Sequence, residues 1–150
     1  MRGFLILLTA LQLGLAATGQ TAEDSVKATI NRFFAGMKGA DGAQVKATLT
    51  DSAILQTISR SRDGQIRVVT ENLADFVTLI GTMKKDSADE QIRFDLVRVD
   101  GPLAMAWTPY QFYFNGKFSH CGVNSFQLVR LAGEWKIQYI IDTRRRQGCL

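Results

Sequence analysis

The chain contains a single histidine, His120. Its imidazole has the ordinary titration range that suits general acid–base work near neutral pH. Such work also needs a carboxylate or a phenol within reach, and the candidates are Asp142, Asp95, Tyr113 and Tyr139. Ligand binding asks for less: a few polar groups in an apolar recess fix a small molecule's orientation. Gln111, Tyr113, His120 and Asn124, with Trp107 and Tyr139 beside them, are such a set. The competing reading of His120 is structural, a hydrogen-bonded ring that orients Gln111 or the chain terminus. No metal site is expected. His120 and Cys121 are neighbours whose side chains leave a strand on opposite faces, and there is no second histidine.

These residues fall in one stretch, Leu103 to Asp142, which reads as three antiparallel strands divided at Asn115-Gly116 and Ala132-Gly133. Asn-Gly favours a two-residue turn because both positions of a type I′ turn need positive φ. Counting outward from the turns, Gln111 faces His120, Trp107 faces Asn124 and Phe126 faces Tyr139. Side chains alternate with period two. One face then collects Met105, Trp107, Gln111, Tyr113, His120, Asn124, Phe126, Trp135 and Tyr139, and is expected to line an aromatic cavity beneath helices. The other collects Thr108, Tyr110, Phe112, Val123 and Ile140, an apolar area suited to pairing two copies of the chain. Asp142 falls on this outer face, away from His120, unless a bulge turns it inward. A one-residue slip would exchange the faces.

The elements before this sheet follow from periodicity. Val26, Ile30, Phe33, Phe34 and Met37 make one stripe of a helix over 21–38, with Thr21 and Asp24 as a capping box and Gly39 to end it. A short helix over 42–49 is capped by Asp41. A hairpin around Asp63-Gly64 joins strands over 53–61 and 65–69. A third helix, capped at Thr70 or Asn72, runs to Met83. The polar run 84–90 reads as a loop, and 91–99 as one strand. Helices collected before a run of antiparallel strands argue for an α+β fold.

The 150 residues suit one domain, and 46% apolar with 21% charged residues is ordinary globular composition. The N-terminus stands apart. Met1-Arg2, an apolar run from Phe4 to Ala16 and the small residues after it read as a signal peptide over 1–20, cleaved between 16 and 22. The chain is therefore expected to be exported, to the periplasm or beyond, with no membrane attachment after cleavage. In that setting the two cysteines, Cys121 and Cys149, suggest a disulfide; the alternative is two separate thiols. The net charge of +4 comes largely from turn and tail arginines, including Arg144-Arg145-Arg146. Without an aromatic-basic stripe it is a poor fit to nucleic-acid binding.

The order of elements resembles the nuclear-transport-factor-2-like superfamily. Ala104 to Tyr113, Gly116 to Phe126, Trp135-Lys136-Ile137 and Asp142 to Arg145 with Cys149 resemble, more narrowly, the bacterial exported proteins called putative lumazine-binding. The resemblance implies a cone of three N-terminal helices packed on a curved, mainly antiparallel sheet, with a cavity between them. The aromatic-rich inner face and the lack of a complete acid–base set on it point to a non-catalytic domain for a small aromatic or heterocyclic ligand, with no cofactor expected. The superfamily also holds isomerases, dehydratases and hydrolases, so an enzyme using His120 is the first alternative. A homodimeric association module, acting through the outer sheet face, is the second. Fold alone does not choose among them.

Overall fold

The structure is a computed structural model describing residues 21–61 and 63–149. The expected signal peptide lies outside the described residues. Helix α1 (Ala22–Gly39) opens with the anticipated capping box: Thr21 Oγ1 accepts from the Asp24 amide, and Asp24 reaches back to the Thr21 amide. Ala40, rather than Gly39, takes the left-handed conformation that ends it. Helix α2 (Gly42–Thr48) is capped by Asp41 and α3 (Leu73–Thr82) by Asn72. A Cβ on Gly42 would lie 2.5 Å from the Val77 carbonyl oxygen, so this glycine lets α2 and α3 approach closely.

The strands are β1 (Leu49–Arg60), β2 (Ile66–Glu71), β3 (Ala88–Ile92), β4 (Leu96–Asp100), β5 (Leu103–Phe114), β6 (Lys117–Leu131) and β7 (Glu134–Thr143). Their order is β2-β1-β7-β6-β5-β3, with β4 also on β5. Every pairing is antiparallel except β1 with β7, which is parallel, so the sheet is mixed. Two helices precede the strands, and α3 follows the β1–β2 hairpin instead of joining them at the N-terminus. The stretch expected to be a loop ending at Glu90 is in part strand β3, and the single strand expected over 91–99 is broken at Arg93–Asp95.

Both predicted turns form, with positive φ at Asn115 and Gly116 and again at Ala132 and Gly133. The registers beyond them differ from simple counting. Phe112 pairs with His120 but Tyr113 pairs with Phe118, so Ser119 is an extra residue. Gln127 pairs with Tyr139 but Leu128 pairs with Ile137, so Gln138 is extra. Each bulge shifts the remaining ladder by one residue and reverses which side chains share a face. Gln138 is held by β1: Thr50 donates to its Oε1 at 2.9 Å and its Nε2 donates to the Ser52 carbonyl at 3.1 Å.

The helix-facing side of the sheet therefore carries Ala104, Ala106, Thr108 and Tyr110, then Asn124, Phe126 and Leu128, then Trp135, Ile137, Ile140 and Asp142, all buried. Ala104, Ala106, Phe126, Leu128, Trp135, Ile137 and Ile140 among them pack with Val26, Ile30, Phe33, Phe34 and Met37 of α1 in one core. Fully burying each large apolar side chain contributes roughly 1.5–3 kcal/mol. Phe126, Leu128, Trp135 and Ile137 keep the positions counted from the turns. Thr108, Tyr110, Phe112 and Ile140, expected outside, belong inside. Met105 and Trp107, expected inside, are exposed on the outer face at 36% and 44%.

Candidate functional site

Three cross-strand neighbours place polar groups in a row across the inner face: Thr108 pairs with Asn124, Asn124 with Asp142, and Asp142 with Thr57. The Gln138 bulge supplies the third member by turning Asp142 inward. Tyr110, one step along β5, pairs with Gly122. Its hydroxyl donates to Asp142 Oδ2 at 2.8 Å and lies 3.0 Å from the Thr143 carbonyl. Arg144 Nε donates to the same Oδ2 at 2.9 Å, and its terminal nitrogen donates to Thr57 Oγ1 at 2.8 Å. Burial, reinforced by the Asp142 charge, pushes the Tyr110 phenol upward, so it remains a donor.

Glu90 completes the cluster from β3. It pairs with Phe112, which sets its side chain on the inner face, and Asn124 Nδ2 donates to its Oε1 at 2.8 Å. Burial pushes its carboxyl up to about 7; the Asn124 hydrogen bond opposes this, nearby Asp142 adds to it and Arg144 reduces it. Near neutral pH this acid can present either a donor or a second acceptor.

A recess of about 80 Å³ lies between this polar floor and the helices. Phe33, Phe34, Met37 and Phe76 form its apolar wall. Phe33 stacks on Phe76 with centroids 6.2 Å apart and meets Phe34 edge-on at 5.2 Å. Exposed Glu71 and Arg144 at its margin show that the recess reaches the surface. Small-molecule pockets commonly span about 300–1,000 Å³, so this recess matches the edge of a flat ligand rather than a whole one.

Of the ligand-binding set singled out from sequence, Asn124 lines this recess, as does Asp142, the candidate carboxylate partner of His120. Trp107, Gln111, Tyr113 and Tyr139 are carried to the outer face by the two bulges. Tyr113 donates to Gln111 Oε1 at 2.7 Å and Tyr139 to Gln56 Oε1 at 2.7 Å. Gln111 borders a separate outer depression of about 270 Å³, beside Arg93 and Arg145. His120 stays on the inner face but toward the open end. Its ring lies edge-on to Tyr110 at 5.8 Å and against Phe112 at 5.0 Å, with Nδ1 3.0 Å from Ser119 Oγ. Burial and the Arg144 charge hold its pKa below the ordinary value. Asp142 does reach His120's face, yet its carboxylate is engaged by Tyr110 and Arg144.

Glu90, Tyr110 and Arg144 were the site residues that sequence reasoning missed or set aside. Glu90 sat in a run with no apolar alternation, and only the pairing of β3 with β5 brings it inside. Cys121 and Cys149 are bonded, as a disulfide reading required, with Cα atoms 5.8 Å apart. Among the described residues no group of three or more His, Cys, Asp or Glu side chains could hold a metal ion. No helix among them is long and apolar enough to cross a membrane.

Residues 21–139 match the family described as "Putative lumazine-binding". The chain belongs to that family. Solved structures of NTF2-like and cystatin-like proteins share its fold. An NTF2-like protein of unknown function from Shewanella baltica is 13% identical, covering 82% of this chain and 93% of its own, with a TM-score of 0.63. A domain of unknown function with a cystatin-like fold from Nostoc punctiforme is 16% identical, covering 87% and 82%, with a TM-score of 0.64. A protein from Streptomyces avermitilis described as a putative dehydratase of the NTF2-like family is 14% identical, covering 82% and 95%, with a TM-score of 0.61. At these identities the likeness shows the fold alone. Comparison with curated proteins finds no match.

Proposed function

We propose that this lumazine-binding family member is an exported domain that holds a small flat heterocycle by its edge in the inner recess, without converting it. The observation that carries this reading is the Glu90–Asn124 pair, a titratable acid and an amide held 2.8 Å apart beneath an aromatic wall. Together they offer adjacent donors and acceptors, the complement of a ring edge bearing N–H beside C=O. The family description supports a heterocycle of the lumazine kind. Binding without turnover is favoured because Tyr110 and Arg144, the donors that would stabilise developing charge, are already engaged by Asp142. Export is supported by the N-terminal apolar run and by the disulfide.

The test is a fluorescence titration of the processed protein with lumazine, repeated on Asn124→Ala and Glu90→Gln. Saturable binding weakened about tenfold by Asn124→Ala, which deletes a buried hydrogen-bonding partner, and by Glu90→Gln, which fixes a donor where the acid can offer a donor or a second acceptor, fits the reading. Lumazine that fails to bind, or binds both variants unchanged, sinks the reading. Mass spectrometry of the incubated ligand checks for a product.

A product would favour a second reading, an acid–base enzyme. Its specific support is the Glu90 carboxyl at about 7, which makes Glu90, rather than His120, the group poised for proton transfer.

We also propose that two copies pair through the outer sheet face. Met105, Trp107 and Ile54 are exposed there, with Val123, Tyr139 and Ile141 partly so. The register corrections change the composition of this face while keeping it apolar, which supports an interface.

A further inference from the structure

Strand β7 ends at Thr143. Beyond it the chain is anchored to β6 by a reciprocal backbone pair, Cys121 N–H to the Arg145 carbonyl at 2.8 Å and Arg145 N–H to the Cys121 carbonyl at 2.9 Å. The Cys121–Cys149 disulfide then closes the tail onto the same residue of β6. Arg144 lies between the end of β7 and this double anchor. Its side chain turns into the recess wall, onto Asp142 and Thr57. One short segment is thus both the tethered tail and the carrier of the recess's positive charge. The Arg144 side chain is half exposed while the Asp142 carboxylate it meets is nearly buried, so the guanidinium reaches Asp142 from the solvent side, out of the tethered tail. The anchor fixes the backbone from which the guanidinium reaches these partners.

We infer that the Cys121–Cys149 disulfide is a redox-sensitive clamp on the ligand recess: reduction frees the tail and withdraws Arg144 from Asp142. The inference rests on reading the recess as the binding site. A dithiol is the reductant. Its thiolate attacks Sγ of Cys149, which is partly exposed, whereas Cys121 is 1% exposed. The Cys149–Cys121 bond breaks, Cys121 leaves as a thiolate that takes up a proton, and a mixed disulfide forms on Cys149. The second thiol of the reductant resolves it, releasing the protonated Cys149 thiol and leaving the reductant as its own disulfide. Two electrons and two protons have passed to the protein. Asp142 then keeps Tyr110 but loses its cation, and the recess becomes more negative by one charge. Ligands with a negative edge bind the oxidised form better, and cationic ones the reduced form.

The experiment is heteronuclear NMR on the isotopically labelled, ligand-free processed chain, before and after dithiothreitol. On reduction, the Arg144 Nε–Hε proton should exchange with water about tenfold faster as local protection is lost. The Glu90 carboxyl midpoint should move upward, because Arg144 holds it down. Cys149→Ser should reproduce both changes without reductant, and Arg144→Gln should reproduce the Glu90 change in the oxidised protein. Reduced cysteines with an unchanged Arg144 signal and Glu90 midpoint overturn the clamp. So does a collapse of amide dispersion on reduction, which would make the disulfide a support of the whole fold. Lumazine added to both forms separates the two ideas. If it binds neither while Arg144 and Glu90 still respond, the recess reading falls and the clamp stands.

Discussion

Tyr110 lies across Gly122. The two residues pair directly between β5 and β6, and a Cβ on Gly122 would stand 2.8 Å from Tyr110 Cε1 and 1.7 Å from the Thr143 carbonyl oxygen. The missing side chain is what lets the phenol reach Asp142. Gly122→Ala forces main chain to move, beyond ordinary overpacking, and should cost about 3 kcal/mol. Chemical denaturation measures this. Unchanged stability would mean that Tyr110 and the tail do not pack as described.

Glu90 titrates differently in the folded and unfolded chain. Folded, it keeps its proton up to about 7; unfolded, only to the ordinary 4.5. The folded state therefore binds more protons between these values, and stability falls as pH rises through that window. Glu90→Gln removes the titration and retains an acceptor for Asn124. At pH 8 the variant should be more stable than the parent by roughly 3 kcal/mol, with little difference below pH 4.5. Urea melts at a series of pH values show the difference between the two slopes. Parallel curves would place Glu90 in water.

His120 should titrate below its ordinary value, from burial first and the Arg144 charge second. Following its ring protons by NMR gives the midpoint directly. Arg144→Gln should raise it. A midpoint indifferent to Arg144 would separate the histidine electrostatically from the recess. His120→Gln is expected to leave lumazine binding within about twofold, since surface-side changes away from a site have small effects.

Trp107→Glu tests the outer face. A charge placed in an apolar interface costs several kcal/mol, so dimer dissociation should strengthen by about a hundredfold or more. Sedimentation velocity distinguishes the species. A parent chain that is monomeric at all concentrations removes the interface from consideration.

Local chemistry carried much of the fold. Thr21 and Asp41 announced two helix starts, Thr70 or Asn72 a third, and Asn115-Gly116 and Ala132-Gly133 two turns, because caps and tight turns depend on adjacent residues. The site was far less legible. Its placement depends on Ser119 and Gln138, whose bulges move Tyr110 and Asp142 inward and Trp107 and Tyr139 outward. Gln138 is held by Thr50 and Ser52, more than eighty positions earlier, a contact invisible to counting along a strand. Trp107, Tyr113 and Tyr139 drew attention to a face that the bulges turn outward. Glu90, in a polar stretch without alternation, drew none.

The parallel pairing of β1 with β7 also has a consequence for the order of events. Leu55 and Ile140, or Thr57 and Asp142, cannot meet until the last strand is available. Closing so long a loop is entropically slow, so docking of the β1–β2 hairpin onto the rest of the sheet waits on the C-terminus. Asp142 and Arg144 arrive in that same final stretch. The polar floor of the recess is therefore completed with the sheet itself, and a chain emerging N-terminus first acquires its recess only in the last step of assembly.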